Sequence, residues 1–233
     1  LEIVKSYSLI LSQTDFFGLP TFGKIFSNLS SNLLKLREDS FQLILDAWEI
    51  LLLSNEANYE TILVPNFYQT GILDSIFEAI FREESLSTYQ CGQLLQIIAR
   101  LSYVNPNALI EYLSTYYNQL PTSQENMQLP ATSRRIVYKD YSFDMVVEKF
   151  LEVWIVCFKD IYDPKFKKLH VLGISSLLRT KLPVVLNNFA SIVSLWIDIM
   201  EEINENNDGD CEKYHLNDIV TEQSIAFFPL TSE

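Results

Sequence analysis

The stretch from Phe143 to Glu202, FDMVVEKFLEVWIVCFKDIYDPKFKKLHVLGISSLLRTKLPVVLNNFASIVSLWIDIMEE, constrains the fold more than any other. It carries three apolar stripes at helical spacing, joined by two short turns that each contain a proline. Phe143, Val146, Val147, Phe150, Leu151, Trp154 and Phe158 recur at steps of three and four, which sets them on one face of a 3.6-residue helix. Asp163 offers an N-cap oxygen, and Pro164 stands at the first helical position, where its missing N–H costs nothing. The helix it opens carries Leu169, Leu172, Ile174, Leu177 and Leu178, with Lys165, Lys167 and Lys168 crowded near its start. Pro183 punctuates again, and Leu186, Phe189, Ala190, Val193, Trp196, Ile197 and Met200 form the third stripe. Helices of roughly 16 to 20 residues joined by so few residues pack antiparallel. One such pair cannot bury its own stripes, so neighbours must stack. The expected fold is all-α, an α-solenoid of antiparallel helix pairs in a right-handed superhelical array.

The rest of the chain follows the same pattern. Residues 1–13 read as a helix stopped by the Gly18–Pro20 breaker, and a second helix runs from about Thr21 to Leu36. Asp39 and Ser40 are cap candidates for SFQLILDAWEILLLS, which is apolar nearly all round and therefore buried on more than one side. A helix over about Thr70–Arg82 follows, then one capped by Ser85 or Ser87 and reaching about Val104, then one opened by Pro106. Helix, short turn, helix at roughly 35 to 50 residues per pair matches HEAT or armadillo-type repeats. Trp154 and Trp196, 42 residues apart, fit one such period. Residues 1–204 are expected to form the repeat array, a C-terminal fragment of a longer solenoid, because Leu1 reads as the middle of a helix. A polar, proline-bounded insertion at 121–140 is too long for an ordinary connection and reads as a functional loop or a mobile insertion. Residues 205–233 read as an acidic loop or tail, containing one aromatic patch, Ile225–Leu230.

Thirty acids against 17 bases give a net charge of −13. Such a surface disfavours a nucleic-acid backbone as a direct partner and favours a basic protein. The three cysteines, Cys91, Cys157 and Cys211, have no CxxC spacing and suit a reducing compartment. No apolar run approaches the ~18 residues that cross a bilayer, so no membrane insertion is expected. Nothing points to an enzyme, a cofactor or a metal. His170 and His215 have no partner at ligand spacing, and no GxSxG, GxGxxG, P-loop or HExxH occurs.

Two charge clusters are the candidate partner-binding residues. The first contains Glu201, Glu202, Glu205, Asp208, Asp210 and Glu212, in a stretch from Asp198 to Glu222 whose only base is Lys213. Its simplest role is a solvated linker, and its functional role is to attract a basic surface. The second is Lys165, Lys167 and Lys168, with Arg179 and Lys181 beyond. Lysines in a first turn oppose the helix dipole, so an acidic group nearby is expected to compensate.

VEKFLEVWIVCFKDIYDPKFKKLHVLGISSLL, a Trp-bearing helix, an Asp-Pro with a basic turn, then a Leu/Gly/Ser-rich helix, resembles the C-terminal HEAT repeats of β-karyopherins. LILDAWEILL and the acidic stretch after the last helix are similar to the same region, and the branch of importin eleven and its fungal relatives is the nearest. The resemblance implies a nuclear transport receptor, shuttling between cytoplasm and nucleus. It implies basic protein cargo such as ribosome-associated or RNA-binding proteins, release controlled by Ran-GTP, and passage through contacts with Phe-Gly nucleoporins. An exportin of the same superfamily, or a HEAT scaffold or regulatory subunit without a transport role, is the alternative.

Overall fold

The computed structural model describes residues 44–45, 71–82 and 86–205. The chain divides into two compact units, and nearly all the described residues belong to the second, Leu73–Lys213. From the first, Ile44 and Leu45 are helical and buried. The expected helices over 1–36, Trp48, His215 and Ile225–Leu230 lie outside the described residues.

The described helices are α1 (Ile72–Ile80), α2 (Thr88–Val104), α3 (Pro106–Asn118), α4 (Ser123–Gln128), α5 (Phe143–Phe158), α6 (Pro164–Ser176), α7 (Pro183–Asn187) and α8 (Phe189–Glu205). Short 3₁₀ turns cover Ala131–Ser133 and Leu177–Thr180. Local chemistry explains most of their starts. Ser87 caps α2 through a reciprocal box: its Oγ accepts from the Gln90 N–H at 3.2 Å, and Gln90 Oε1 accepts from the Ser87 N–H. Asn105 both closes α2, by donating its N–H to the Leu101 carbonyl, and opens α3, by accepting from the Ala108 N–H at 3.1 Å. Pro106 then takes the first position of α3. Asp163 does the same for α6, accepting from the Lys165 N–H at 2.8 Å.

The third stripe departs from the sequence expectation in two ways. It is not one helix: α7 and α8 are separated at Asn188, whose side chain donates to the Val184 carbonyl at 2.9 Å. A side-chain amide bonded to the preceding turn competes with the backbone ladder and interrupts it. Nor is the expected stripe the buried one. Val185, Ile192, Leu195 and Ile199 face the core, whereas Leu186, Phe189, Val193, Ile197 and Met200 are exposed. The segment is apolar on two faces, and periodicity alone could not choose between them.

Packing within this unit centres on α6. Ala99 and Gly173, and Ser102 and Ser176, face one another across α2 and α6, each pair offset by 74 residues. A constant offset means that the two helices run parallel. Four small residues let their backbones approach closely. The Ser102 and Ser176 hydroxyls are 2.8 Å apart, with Gly173 O within reach of Ser102 Oγ and Ser102 O within reach of Ser176 Oγ, so their two protons are shared among the acceptors of this contact. On its other sides α6 meets α5 and α8. Trp154 Nε1 donates to His170 Nδ1 at 2.8 Å, and Trp196 Nε1 donates to Ser175 Oγ at 2.8 Å. Lys167, near the start of α6, pairs with Glu202 near the end of α8, while Ser175, near the end of α6, meets Trp196 earlier in α8. The two helices are therefore antiparallel, and α7 lies against α5. Trp154 and Trp196, 42 residues apart, thus both bond to side chains of α6, one from α5 and one from α8.

That segment, 121–140, is tied to the body. Thr122 and Glu125 form a capping box for α4. The Ile136 N–H donates to Phe81 O at 2.7 Å beside an isolated Arg82–Arg135 bridge, the one strand-like pairing among the described residues. The buried Asn126 exchanges two bonds of 3.0 Å with the Arg135 backbone, and Val137 is fully buried. Lys139 Nζ stands 4.3 Å above the Tyr117 ring. Beneath lies an aromatic cluster, with Phe77 5.5 Å from Tyr116 and 5.7 Å from Phe150, and Phe150 5.4 Å from Trp154. Burying each such ring stabilises the fold by roughly 1.5–3 kcal/mol.

A Cβ at position 173 would stand 2.6 Å from Ala99 Cα, a backbone atom that cannot step aside. Gly173→Ala is therefore expected to lower the unfolding free energy by about 1–3 kcal/mol, read from urea midpoints at unchanged slope.

Candidate partner-binding surface

The two charge clusters converge at one place. Lys167 Nζ and Glu202 Oε2 are 2.6 Å apart, with side chains 22% and 24% exposed, so this ion pair is partly withdrawn from water. It joins the start of α6 to the end of α8. The acidic group expected to offset the first-turn lysines is thus present twice, in Glu202 and in the capping carboxylate of Asp163. Lys165 and Lys168 are half-buried alongside, and Glu201 is exposed one residue before Glu202. Glu205 closes α8. Asp208, Asp210 and Glu212 lie outside the described residues. Arg179 and Lys181 are exposed beyond the far end of α6 and are not brought to this place. Lys181 ends the 3₁₀ turn with a left-handed φ of 58°.

Sequence reasoning missed the surface beside this pair. Phe189, Val193, Ile197 and Met200 are 54%, 36%, 51% and 53% exposed. Their spacing of four, four and three sets them on one face of α8. Asp198, Glu201 and Ser194 border one edge of that face, and α8 carries no lysine or arginine. On the opposite edge the half-buried Trp196 turns inward to Ser175. The stripe itself was legible, but its direction depended on which apolar face α6 took.

The other chemistry-bearing side chains are structural. His170 is buried, accepts from the Trp154 indole on Nδ1, and has a backbone hydrogen bond with Gly92. Acceptance at Nδ1 places the proton on Nε2 of a neutral ring. Desolvation drives its pKa from 6.5 to about 3, against the smaller opposite effect of the Gly92 contact. Cys91 and Cys157 are both buried and free, and lie against one another. The hydrogen bond between them, followed by burial, pushes the Cys91 thiol upward and keeps it protonated. Among the described residues no group of His, Cys, Asp and Glu is placed to hold a metal ion, and no helix is long and apolar enough to cross a membrane.

These arrangements give two expectations. The folded state excludes a proton from His170 that the unfolded chain accepts below about pH 6.5, so stability is present above that pH and is lost as pH falls towards 3. The loss approaches about 1.4 kcal/mol per pH unit, or roughly 2 kcal/mol between pH 7 and pH 5. His170→Asn, which keeps an acceptor for Trp154, should remove that part of the slope in denaturant titrations at the two pH values. For the ion pair, a double-mutant cycle of Lys167→Met and Glu202→Gln should give a coupling of about 1 kcal/mol or less, weakening in high salt.

Comparison with known proteins places these features in a family setting. A family model described as "Importin-11-like, TPR repeats" matches residues 1–228. Over all 233 residues the chain is 64% identical to the importin beta-like protein KAP120 of Saccharomyces cerevisiae, and spans 23% of that protein. Over 151 residues, 64% of the chain, it is 32% identical to the importin beta-like protein kap113 of Schizosaccharomyces pombe, spanning 14% of it. The solved structure of Lph2, described as a novel bidirectional nuclear transport receptor in S. cerevisiae, matches 99% of the chain with a TM-score of 0.84 and 63% identity, and the chain spans 23% of it. The chain therefore covers about a quarter or less of the length of these relatives.

Proposed function

The chain belongs to the importin-11-like family, and on that premise we propose that it forms part of a nuclear transport receptor carrying protein cargo between cytoplasm and nucleus. What carries this reading is the match to Lph2 over 99% of the chain at 63% identity, which joins a receptor-like sequence to a receptor-like fold. The stacked helices support it physically. A helix-pair array presents long side-chain surfaces to a partner. With a net charge of −13, such a surface attracts basic cargo, the class that includes ribosome-associated and RNA-binding proteins. Within it, Glu201, Glu205, Asp208, Asp210 and Glu212 are the residues assigned to that contact. Glu202 is engaged by Lys167 where α6 meets α8, and Lys165, Lys167, Lys168 and Glu202 complete the set of candidate contact residues.

Ran-GTP releases the cargo by favouring an arrangement of the helices that binds cargo more weakly. Such a shift requires a difference in affinity between two states and nothing catalytic. Contacts with Phe-Gly nucleoporins carry the receptor through the pore. The bidirectional description of Lph2 supports traffic in both directions rather than import alone.

Pull-down of basic nuclear proteins by the full-length receptor, with and without Ran-GTP, tests the proposal. At least one basic cargo should be lost or gained at least tenfold when Ran-GTP is added, and a fluorescent fusion should concentrate at the nuclear rim. Cargo binding indifferent to Ran-GTP, with no rim signal, would leave a scaffold without a transport role.

A further inference from the structure

The apolar face of α8 has no part in the packing described above, yet it is built like a docking strip. Phe189, Val193, Ile197 and Met200 lie within a narrow arc of the helix, and Leu186 continues the line on α7. All five are between about a third and just over half exposed, while Ile192, Leu195 and Ile199 anchor the opposite side of the same helix in the core. Contiguous exposed apolar side chains rimmed by charge are a mark of an interaction surface. Its single charged border decides the partner. Asp198 and Glu201 are exposed along one edge, and no base on α8 neutralises them.

We infer that this face takes an amphipathic helix of a partner protein, with apolar residues at i, i+3 or i+4 and i+7 against the strip and lysines or arginines along one flank. Recognition of a helix through apolar anchors at that spacing is an established mode. A second copy of this chain would bring Asp198 and Glu201 near their own counterparts in a two-fold arrangement. An acidic or uncharged helix would leave both carboxylates beside the contact uncompensated. The inference rests on the proposed function only in taking the partner to be a protein. It defines a surface and a chemistry that membership of the family does not supply.

The probe is an 18-residue peptide of leucine and lysine, with leucines at helical spacing and lysines on the flanks, titrated against the full chain. Its counterpart has glutamate in place of every lysine. Neither contains tryptophan, so emission from the half-buried Trp196 on the edge of the strip reports binding. The lysine peptide should bind at least tenfold more tightly than the glutamate peptide, and a rise from 50 to 500 mM salt should weaken it severalfold. Val193→Ser with Ile197→Ser, both already exposed, should weaken it at least tenfold while circular dichroism stays unchanged. Asp198→Lys with Glu201→Lys should reverse the preference between the peptides. Equal binding of the two peptides, or binding indifferent to both double variants, overturns the inference. So does sedimentation as a dimer that the Val193→Ser, Ile197→Ser variant converts to monomer, because the occupant is then a second copy. Sensitivity of cargo to Ran-GTP is a separate measurement. Its failure with the peptide result intact would remove the transport reading and leave the docking strip standing.

Discussion

The close parallel contact between α2 and α6 is the constraint on which the rest of this unit depends. Ala99 and Ser102 on one helix face Gly173 and Ser176 on the other, with no room at Gly173 even for a Cβ, and the two serine hydroxyls find their partners inside the contact. Dispersion between two backbones at this distance is dense. The polar groups it encloses are paired, which is the condition for a buried seam to stabilise rather than destabilise. Once α6 is fixed against α2, its remaining faces are assigned. His170 and Ser175 point to positions that only the indoles of Trp154 and Trp196 fill, one from α5 and one from α8. Each indole ties its helix to α6, and the second, with the Lys167–Glu202 pair, sets α8 antiparallel to it.

A second layer of constraint comes from aromatic packing under the 121–140 segment. Phe77, Phe81, Tyr116 and Phe150 meet with ring centroids between 5.5 and 6.4 Å apart, in stacked, tilted and edge-on arrangements. The rings come from α1, from the residue just after it, and from α3 and α5, so the cluster joins helices that are distant in sequence. The segment above buries its own Val137 and sets the Arg135 guanidinium 5.9 Å from the Tyr116 ring. Burial without a hydroxyl partner, more than the neighbouring charges, raises the Tyr116 pKa and keeps its phenol neutral. A long polar connection is thus used as a lid on a hydrophobic cluster.

Much of this was readable from residue types, and the exceptions have physical causes. The helix starts at Pro106, Pro164 and Pro183, the cap at Ser87, and the buried face of α5 follow from local chemistry, which neighbouring elements did not override. The third stripe failed because two apolar faces of α7 and α8 compete, and only the position of α6 selects Ile192, Leu195 and Ile199 for the interior. The break at Asn188 was hidden for a related reason, since an asparagine inside an apolar period reads as a tolerated polar residue until its side chain is seen on Val184 O. The 121–140 segment looked like a loop because its holding bonds are backbone-to-backbone and Asn126-to-backbone, which leave no periodic trace. Of the candidate site, the charges were legible. Their pairing was legible only as an expectation that something acidic must lie near the lysines.

The pairing has a consequence for how the surface works. Lys167 neutralises Glu202, so the acid that braces α8 against α6 is withdrawn from any partner, while Glu201 beside it is left exposed. One turn earlier, Asp198 is exposed on the same side, at the border of the apolar face. The helix thus separates its functions by angle. One face packs, one acid anchors the end, and the outward face combines greasy contact area with an acidic edge that no base on α8 itself offsets. Charge at such an edge changes the rate of encounter and the choice of partner more than the final affinity, whereas the apolar face governs how long a partner stays. On this helix the two properties sit on separate side chains, so a change in charge at the edge and a change in apolar area on the face act on different steps of binding.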